Sequence, residues 1–83
     1  MEWDIIEIES ISGYKLKLKF KSGETGTADL SDYMKRGGVF ENFADPDYFK
    51  KVKICNGVLC WPGDIDIAPE TVYSMATGKS LPD

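Results

Sequence analysis

The clearest pattern in the chain is the alternation Tyr14-Lys15-Leu16-Lys17-Leu18-Lys19-Phe20. Apolar side chains at every second position would line one face of an extended segment, while the three lysines would face water on the other. One buried face and one wet face are typical of an antiparallel sheet. Residues 14–20 therefore predict a half-buried antiparallel strand to which the flanking segments pair.

The segment before this strand, residues 4–10, predicts a partner strand whose register depends on the loop. A two-residue turn at Ser12-Gly13 would bury a lysine, whereas a three-residue loop over 11–13 matches apolar with apolar and acidic with basic side chains. We therefore expect the longer loop. The expected cross-strand pairs are Ile8 with Leu16, Ile6 with Leu18, Glu9 with Lys15 and Glu7 with Lys17.

The segment after the central strand predicts a third strand over 24–30, entered through a loop at 21–23. This register sets Gly26 and Ala28 opposite two leucines of the central strand. The alternative register would bury threonines and an aspartate. Because the residues on the inner face of the third strand are small, another element has room to lie across the sheet.

The middle of the chain predicts short helical turns rather than strands. Ser31 is expected to cap a turn over 32–36, and Asp45 is expected to cap a second turn whose first residue is Pro46. Four aromatic side chains are expected to anchor this connection in the core: Phe40, Phe43, Tyr48 and Phe49.

A second hairpin is centred on Asn56-Gly57, the dipeptide most typical of a two-residue turn. It predicts strands over 51–55 and 58–62. The register places Cys55 and Cys60 on one face but diagonally, about 7–8 Å apart, which exceeds the usual reach of a disulfide. We therefore expect two free thiols, as in a reducing compartment.

A C-terminal helix is predicted over 69–77. Pro69 suits its first turn, Glu70 suits the positive end of its dipole, and Gly78 suits its end.

Together the elements predict one α+β domain over 1–83. In it, an antiparallel sheet of about five strands packs one face against the C-terminal helix, with short helical turns in the middle connection.

Composition restricts the function more than it defines it. The 83 residues carry 14 acidic and 10 basic side chains, a formal charge of −4 and no histidine. An acidic chain is poorly suited to phosphate backbones, and the commonest acid–base catalyst is missing. No phosphate loop, zinc spacing or nucleophile elbow is present. We expect no enzyme, no cofactor, no direct nucleic-acid binding and no membrane contact. The N-terminus lacks the pattern of a signal peptide, which favours the cytoplasm.

Several motifs together resemble the domain-of-unknown-function 2442 family over about residues 6–73. They are Leu16-Lys17-Leu18-Lys19-Phe20 with Gly23, Asp29-Leu30, Gly38-Val39-Phe40, Asp45-Pro46-Asp47-Tyr48-Phe49, and the run from Trp61-Pro62-Gly63-Asp64 to Asp66, Pro69, Glu70 and Tyr73. The order of Gly63 and Asp64 departs from the usual pattern. The resemblance implies a small bacterial domain with a sheet and a C-terminal helix, often encoded beside another small protein in a toxin–antitoxin-like pair.

The sharpest local feature is the acidic run that precedes and enters the C-terminal helix. Its carboxylates are of the type that holds magnesium or calcium, but helix capping and the helix dipole explain them as well. The candidate interaction surface comprises Trp61, Asp64, Asp66, Glu70 and Tyr73.

The preferred hypothesis is a non-enzymatic protein-interaction domain, the antitoxin-like partner in a two-protein module. Its partner would be another protein, such as the product of a neighbouring gene. One alternative is a phage- or plasmid-encoded acidic inhibitor that imitates nucleic acid. Another is a small-ligand or metal-binding domain that uses the loop Trp61–Glu70.

Overall fold

The computed structural model describes residues 2–79 as an α+β fold. Strands β1 to β6 span Ile5–Ser12, Lys15–Phe20, Thr25–Asp29, Lys53–Cys55, Val58–Trp61 and Ile65–Ile67. Helices α1 and α2 span Pro46–Phe49 and Pro69–Thr77, and two 3-10 helices span Ser31–Lys35 and Gly38–Ala44. The expected single domain over 1–83 also includes Met1 and residues 80–83, which lie outside the described residues.

The strands form two three-stranded antiparallel sheets, β1-β2-β3 and β4-β5-β6, so the expected single sheet of about five strands is wrong. The segment Ile65–Ile67, expected as loop, pairs with β5 and completes the second sheet. Three residues are too few for alternation to distinguish a strand from a loop. The sheets meet where the Ile5 N–H donates to the Gly57 carbonyl over 3.0 Å.

The pairing of β1 with β2 differs from the expected register. The turn occupies residues 13–14, not 11–13, and β1 carries two irregularities, one between Ile5 and Glu7 and one between Ile8 and Ser10. An extra residue at each bulge shifts the register and bends the strand. The observed pairs are Ile5 with Phe20, Glu7 with Lys19, Ile8 with Leu18, Ser10 with Lys17, Ile11 with Leu16 and Ser12 with Lys15.

These bulges change which isoleucine enters the core. Ile5 is 1% exposed, whereas Ile6, expected on the inner face, is 53% exposed. The sequence comparison of registers assumed strands without bulges and therefore placed Ile6 on the wrong face. A one-residue shift in strand pairing moves every following side chain to the other face of the sheet. The one β1–β2 ion pair joins Lys17 to Glu9 at 3.9 Å among the described residues.

The expected register of β2 with β3 is confirmed. Leu18 pairs with Gly26 and Leu16 pairs with Ala28, with a loop at 21–23. Helix α2 occupies the space above these small residues. A Cβ at position 26 would collide with the carbonyl group of Ala76, so the backbone of α2 rests directly on β3.

The helix ends follow local sequence signals in part. The Asp45 side chain accepts from the Asp47 N–H at 3.0 Å and caps α1, as expected. Ser31 does not cap its turn: its N–H donates instead to the Asp29 carboxylate. Helix α2 has the expected bounds, and Gly78 ends it with a φ of 73°.

The core lies between the two sheets, α2 and the middle connection. Its buried members are Ile5, Leu16, Leu18, Phe20, Ala28, Leu30, Tyr33, Phe43, Phe49, Leu59, Trp61, Ile67 and Val72. No charged side chain of the described residues is buried. The helices of residues 2–79 are all too short or too polar to span a lipid bilayer.

Replacing Gly26 by alanine should destabilise the domain by about 1–3 kcal/mol, because the added methyl group collides with the backbone of α2. Urea unfolding of the variant measures this difference. The control is Thr27→Ala on the exposed face of the same strand, which should change stability by less than about 0.5 kcal/mol. A more stable Gly26→Ala variant would contradict the close packing of α2 on β3.

Candidate functional site

The side of the second sheet that faces away from the core carries a concave surface with a volume of about 490 Å³. We call this surface, with its rim at residues 62–64, the outer face. Because side chains alternate along a strand, the residues opposite the core point into this surface. Among the residues that line it are Lys53, Cys55, Cys60, Pro62, Asp64 and Asp66.

One row of side chains crosses the outer face from β4 to β6. Lys53 pairs with Cys60, and Cys60 pairs with Asp66. Lys53 and Asp66 are both exposed. The row therefore places a positive and a negative charge on opposite sides of a sulfur atom. Such a pattern can align a partner that carries the complementary charges.

Asp64 lies at the rim of the outer face, in the turn that joins β5 to β6. Trp61 pairs with Ile65, so the turn contains residues 62–64. Gly63 has a φ of 89° and Asp64 has a φ of 61°. Aspartate tolerates this left-handed region better than most residues. Asp64 and Asp66 thus line one surface, but neither caps α2: Ala68 is the N-cap residue of this helix, and no side chain makes a capping hydrogen bond there.

The two cysteines of the outer face form a disulfide, so the expectation of two free thiols is wrong. The pairing of Lys53 with Cys60 and of Cys55 with Val58 confirms that the cysteines are diagonal. Their Cα atoms are nevertheless only 6.3 Å apart, within disulfide range. The right-handed twist of β-strands brings one diagonal of a strand pair closer than a flat sheet does.

Trp61 borders the outer face, but most of its side chain lies in the core. The side chains of Trp61 and Cys60 lie on opposite faces of β5, and Trp61 is only 3% exposed. The indole Nε1–H donates to the Phe49 carbonyl at 2.8 Å. Its ring centroid lies 4.6 Å from that of Phe43 and 5.7 Å from that of Phe49. A buried hydrogen bond and two ring contacts give Trp61 a structural role.

The predicted site residues on α2 do not join the outer face. Glu70 is half-buried in the first turn of α2, and Tyr73 turns toward the first sheet. No group of three or more potential metal ligands comes together within residues 2–79. The structure thus brings Asp64 and Asp66 to one surface and separates Tyr73 from them.

Tyr73 is part of a polar cluster that sequence reasoning missed. Its hydroxyl donates to Glu24 Oε1 at 2.6 Å, and Lys79 Nζ lies 2.6 Å from Glu24 Oε2. The Tyr73 ring also packs edge-on against Phe20 at 5.1 Å. We call Glu24, Tyr73 and Lys79 the helix latch, because they join the end of α2 to the β2–β3 turn. The large sequence separation of Glu24 and Lys79 hides the pair from any local pattern.

The three groups of the helix latch shift one another's titration. Hydrogen bonds from Lys79 and then from Tyr73 hold the pKa of Glu24 below its ordinary value. The Glu24 carboxylate in turn raises the pKa of Tyr73 and the pKa of Lys79. All three groups reach solvent, so their mutual attraction is screened. The latch is best suited to positioning α2.

Comparison with known proteins adds one finding. The sequence profile of the family described as "Protein of unknown function (DUF2442)" matches residues 5–78. No curated protein and no solved structure gives a significant match.

Trp61→Phe should lower the free energy of unfolding by about 1–3 kcal/mol, because the Phe49 carbonyl keeps only the Val52 N–H as donor and the smaller ring leaves a void in the core. Trp3→Phe, at the half-buried N-terminal tryptophan, is the matched control and should have a smaller effect. Urea denaturation of both variants measures the difference. Equal losses would show that Trp61 is not specifically anchored.

Glu24→Gln should lower the melting temperature at neutral pH, and the difference from wild type should shrink in acid. A carboxylate whose folded-state pKa is lowered stabilises the fold above its unfolded pKa and loses this effect as pH falls through the folded pKa. The gap should therefore close below about pH 4. Glu41→Gln, at an exposed glutamate, is the control. A gap that persists undiminished in acid would contradict a charge-based latch.

Proposed function

The chain belongs to the DUF2442 family of proteins of unknown function, and we propose that it acts as a non-enzymatic protein-interaction domain. The outer face of the second sheet is the proposed contact surface. Asp64 and Asp66 keep their proposed place in it. Trp61 supports this surface from the core, and Tyr73 acts through the helix latch.

The observation that carries the proposal is the mixed chemistry of the outer face. Pro62 offers apolar area at the rim of this surface, and Lys53 and Asp66 offer opposite charges across it. Protein-binding surfaces combine apolar contact with complementary charge in this way. The alternation of signs also supports a protein partner over imitation of a phosphate backbone, which requires a uniformly acidic stripe.

The edge of β6 extends this proposed contact surface. Strand β6 bonds to β5 on one side, and its other side pairs with no strand in the part of the chain that the structure describes. Its three residues offer main-chain donors and acceptors to an added strand, a common mode of peptide recognition. A partner strand on β6 would also reach Asp66 on the outer face.

The placement of charge supports binding over chemistry. Catalytic acids and bases are usually shifted in pKa by burial or by close charges inside a cleft. Within residues 2–79, no charged side chain is buried. The shifted groups are Asp29 and the helix latch, and none of them lines the outer face.

We further propose that this domain is the antitoxin-like half of a two-protein module. Its support is the family resemblance and the acidic composition, with a formal charge of −4. The partner would be the small protein encoded beside it. A partner surface of basic and apolar residues would complement the outer face.

A small organic ligand is the second candidate occupant. The open concavity of the outer face has a volume of about 490 Å³. This volume is within the range of small-molecule sites, roughly 300–1,000 Å³. Most of its lining residues are exposed, whereas ligand sites usually bury most of the ligand. We therefore rank a protein partner first.

Co-expression with the product of the neighbouring gene tests the proposal. The two proteins should co-purify, and Lys53→Glu and Asp66→Lys should each weaken the complex at least about tenfold, without change in melting temperature. Lys21→Glu, in the β2–β3 turn of the first sheet, is the matched charge-reversal control and should bind as wild type. Titration measured by calorimetry gives the affinities.

Two outcomes would contradict the proposal. If the proteins do not co-purify and neither affects the other's toxicity, the antitoxin form fails. If they bind but Lys21→Glu weakens the complex as much as Lys53→Glu does, the contact surface lies elsewhere.

A further inference from the structure

We propose that the Cys55–Cys60 disulfide is a reversible thiol–disulfide exchange site whose substrates are low-molecular-weight thiols and disulfides. The bond joins diagonal residues of β4 and β5 on the outer face. Its location, exposure and independence from the core together carry the inference.

Access is the first requirement for exchange, and the disulfide meets it. Cys55 is exposed and Cys60 is half-buried. Both line the open concavity of the outer face. Because Cys55 is the more exposed of the two residues, its Sγ is the expected point of attack for an incoming thiolate and Cys60 is the expected leaving group.

Reversibility also requires that the fold survive reduction. Neither cysteine belongs to the buried core, which lies on the opposite side of the second sheet. The bond closes a loop with a sequence separation of 5, and short loops gain least from cross-linking. The Asn56-Gly57 turn holds the hairpin by its own backbone preference. Reduction should therefore free the two sulfurs without unfolding the domain.

The exchange proceeds in two balanced steps. The thiolate of the small thiol attacks Cys55 Sγ, a new S–S bond forms, and the Cys55–Cys60 bond breaks with its electron pair on Cys60, which takes a proton from water. A second small thiolate attacks the small-molecule sulfur of the mixed disulfide and releases Cys55 as a thiolate. Two small thiols become one small disulfide, and the protein disulfide becomes two thiols. The reverse reaction uses the small disulfide as oxidant.

The electrostatic surroundings of Cys60 bear on the leaving step. Lys53 and Asp66 occupy the paired positions on either side of Cys60. A flanking ammonium group favours a thiolate and a flanking carboxylate disfavours it, so the two charges oppose each other at the leaving step. A cytoplasmic chain, which the sequence favours, would use such a disulfide transiently, because structural disulfides are rare there.

Exchange would also alter the proposed contact surface, and this part rests on the proposed function. The oxidised form ties β4 to β5 at the floor of the outer face. The reduced form places two polar thiols between Lys53 and Asp66. Partner affinity should then differ between the two redox forms.

Equilibration of the full chain in a series of glutathione buffers, from reducing to oxidising, tests the exchange itself without a partner. After alkylation of free thiols, intact mass should show the native chain passing from two labels to none. The unlabelled form should be lighter than the dithiol by about 2 Da, the two lost hydrogens. Far-ultraviolet circular dichroism should be the same at both ends of the series.

Serine variants identify the sulfur that is attacked. Cys60→Ser should accumulate the mixed disulfide of Cys55 with glutathione, Cys55→Ser should accumulate less, and the double variant should remain unmodified. NMR shifts between the redox forms should be largest in β4, β5 and β6, and in the first sheet they should be confined to the residues around Ile5, whose N–H donates to the Gly57 carbonyl.

Three results would overturn the inference. They are reduction of the disulfide only after denaturant is added, two free thiols in the native chain in every buffer, and unfolding of the domain on reduction. All three results are read by labelling and circular dichroism on the chain alone, without a partner, so the failure of this inference is distinguishable from the failure of the proposed function.

Discussion

The aromatic contact between Trp61 and the middle connection is the constraint on which the rest of the fold depends. Its indole donates to the Phe49 carbonyl, and its ring lies against Phe43 and Phe49. Phe49 also meets Tyr14 of the first sheet, with ring centroids 4.7 Å apart. One cluster therefore holds the second sheet, the helical connection and the first sheet together, and it fills the core with rings whose orientations are specific.

This arrangement determines what is left for the exterior. The inner face of the second sheet packs Leu59, Trp61 and Ile67 into the core. The side chains of its outer face are therefore not needed for core packing. Its charges and its disulfide lie where other molecules can reach them. The same division explains why the disulfide adds little to the core and is well placed for exchange.

The opposite end of the molecule is organised by close packing and then by charge. Gly26 lets the backbone of α2 approach β3, and the helix latch holds the end of α2 over the β2–β3 turn. The close approach is a matter of volume, which water cannot screen. The latch is exposed to solvent, so it is sensitive to pH and salt. Close packing therefore determines the position of α2 on β3, and the helix latch adds a weaker attraction at the C-terminal end of α2.

The features with local causes follow from the sequence alone. Alternation over residues 14–20, the Asn56-Gly57 turn, the Asp45 cap and the limits of α2 at Pro69 and Gly78 all follow from neighbouring residues, and the structure confirms them. The matching of Gly26 with Leu18 was also accessible, because a single unbroken register buries the right side chains there.

The features that depend on distant partners or on the bending of strands arise only in the folded chain. The bulges of β1, the division into two sheets and the burial of Trp61 arise from packing between elements. Strand twist closes the diagonal between Cys55 and Cys60, and Glu24 finds Lys79 only after α2 has docked. Local preference is read along the chain, whereas these contacts exist only once the chain has folded back on itself.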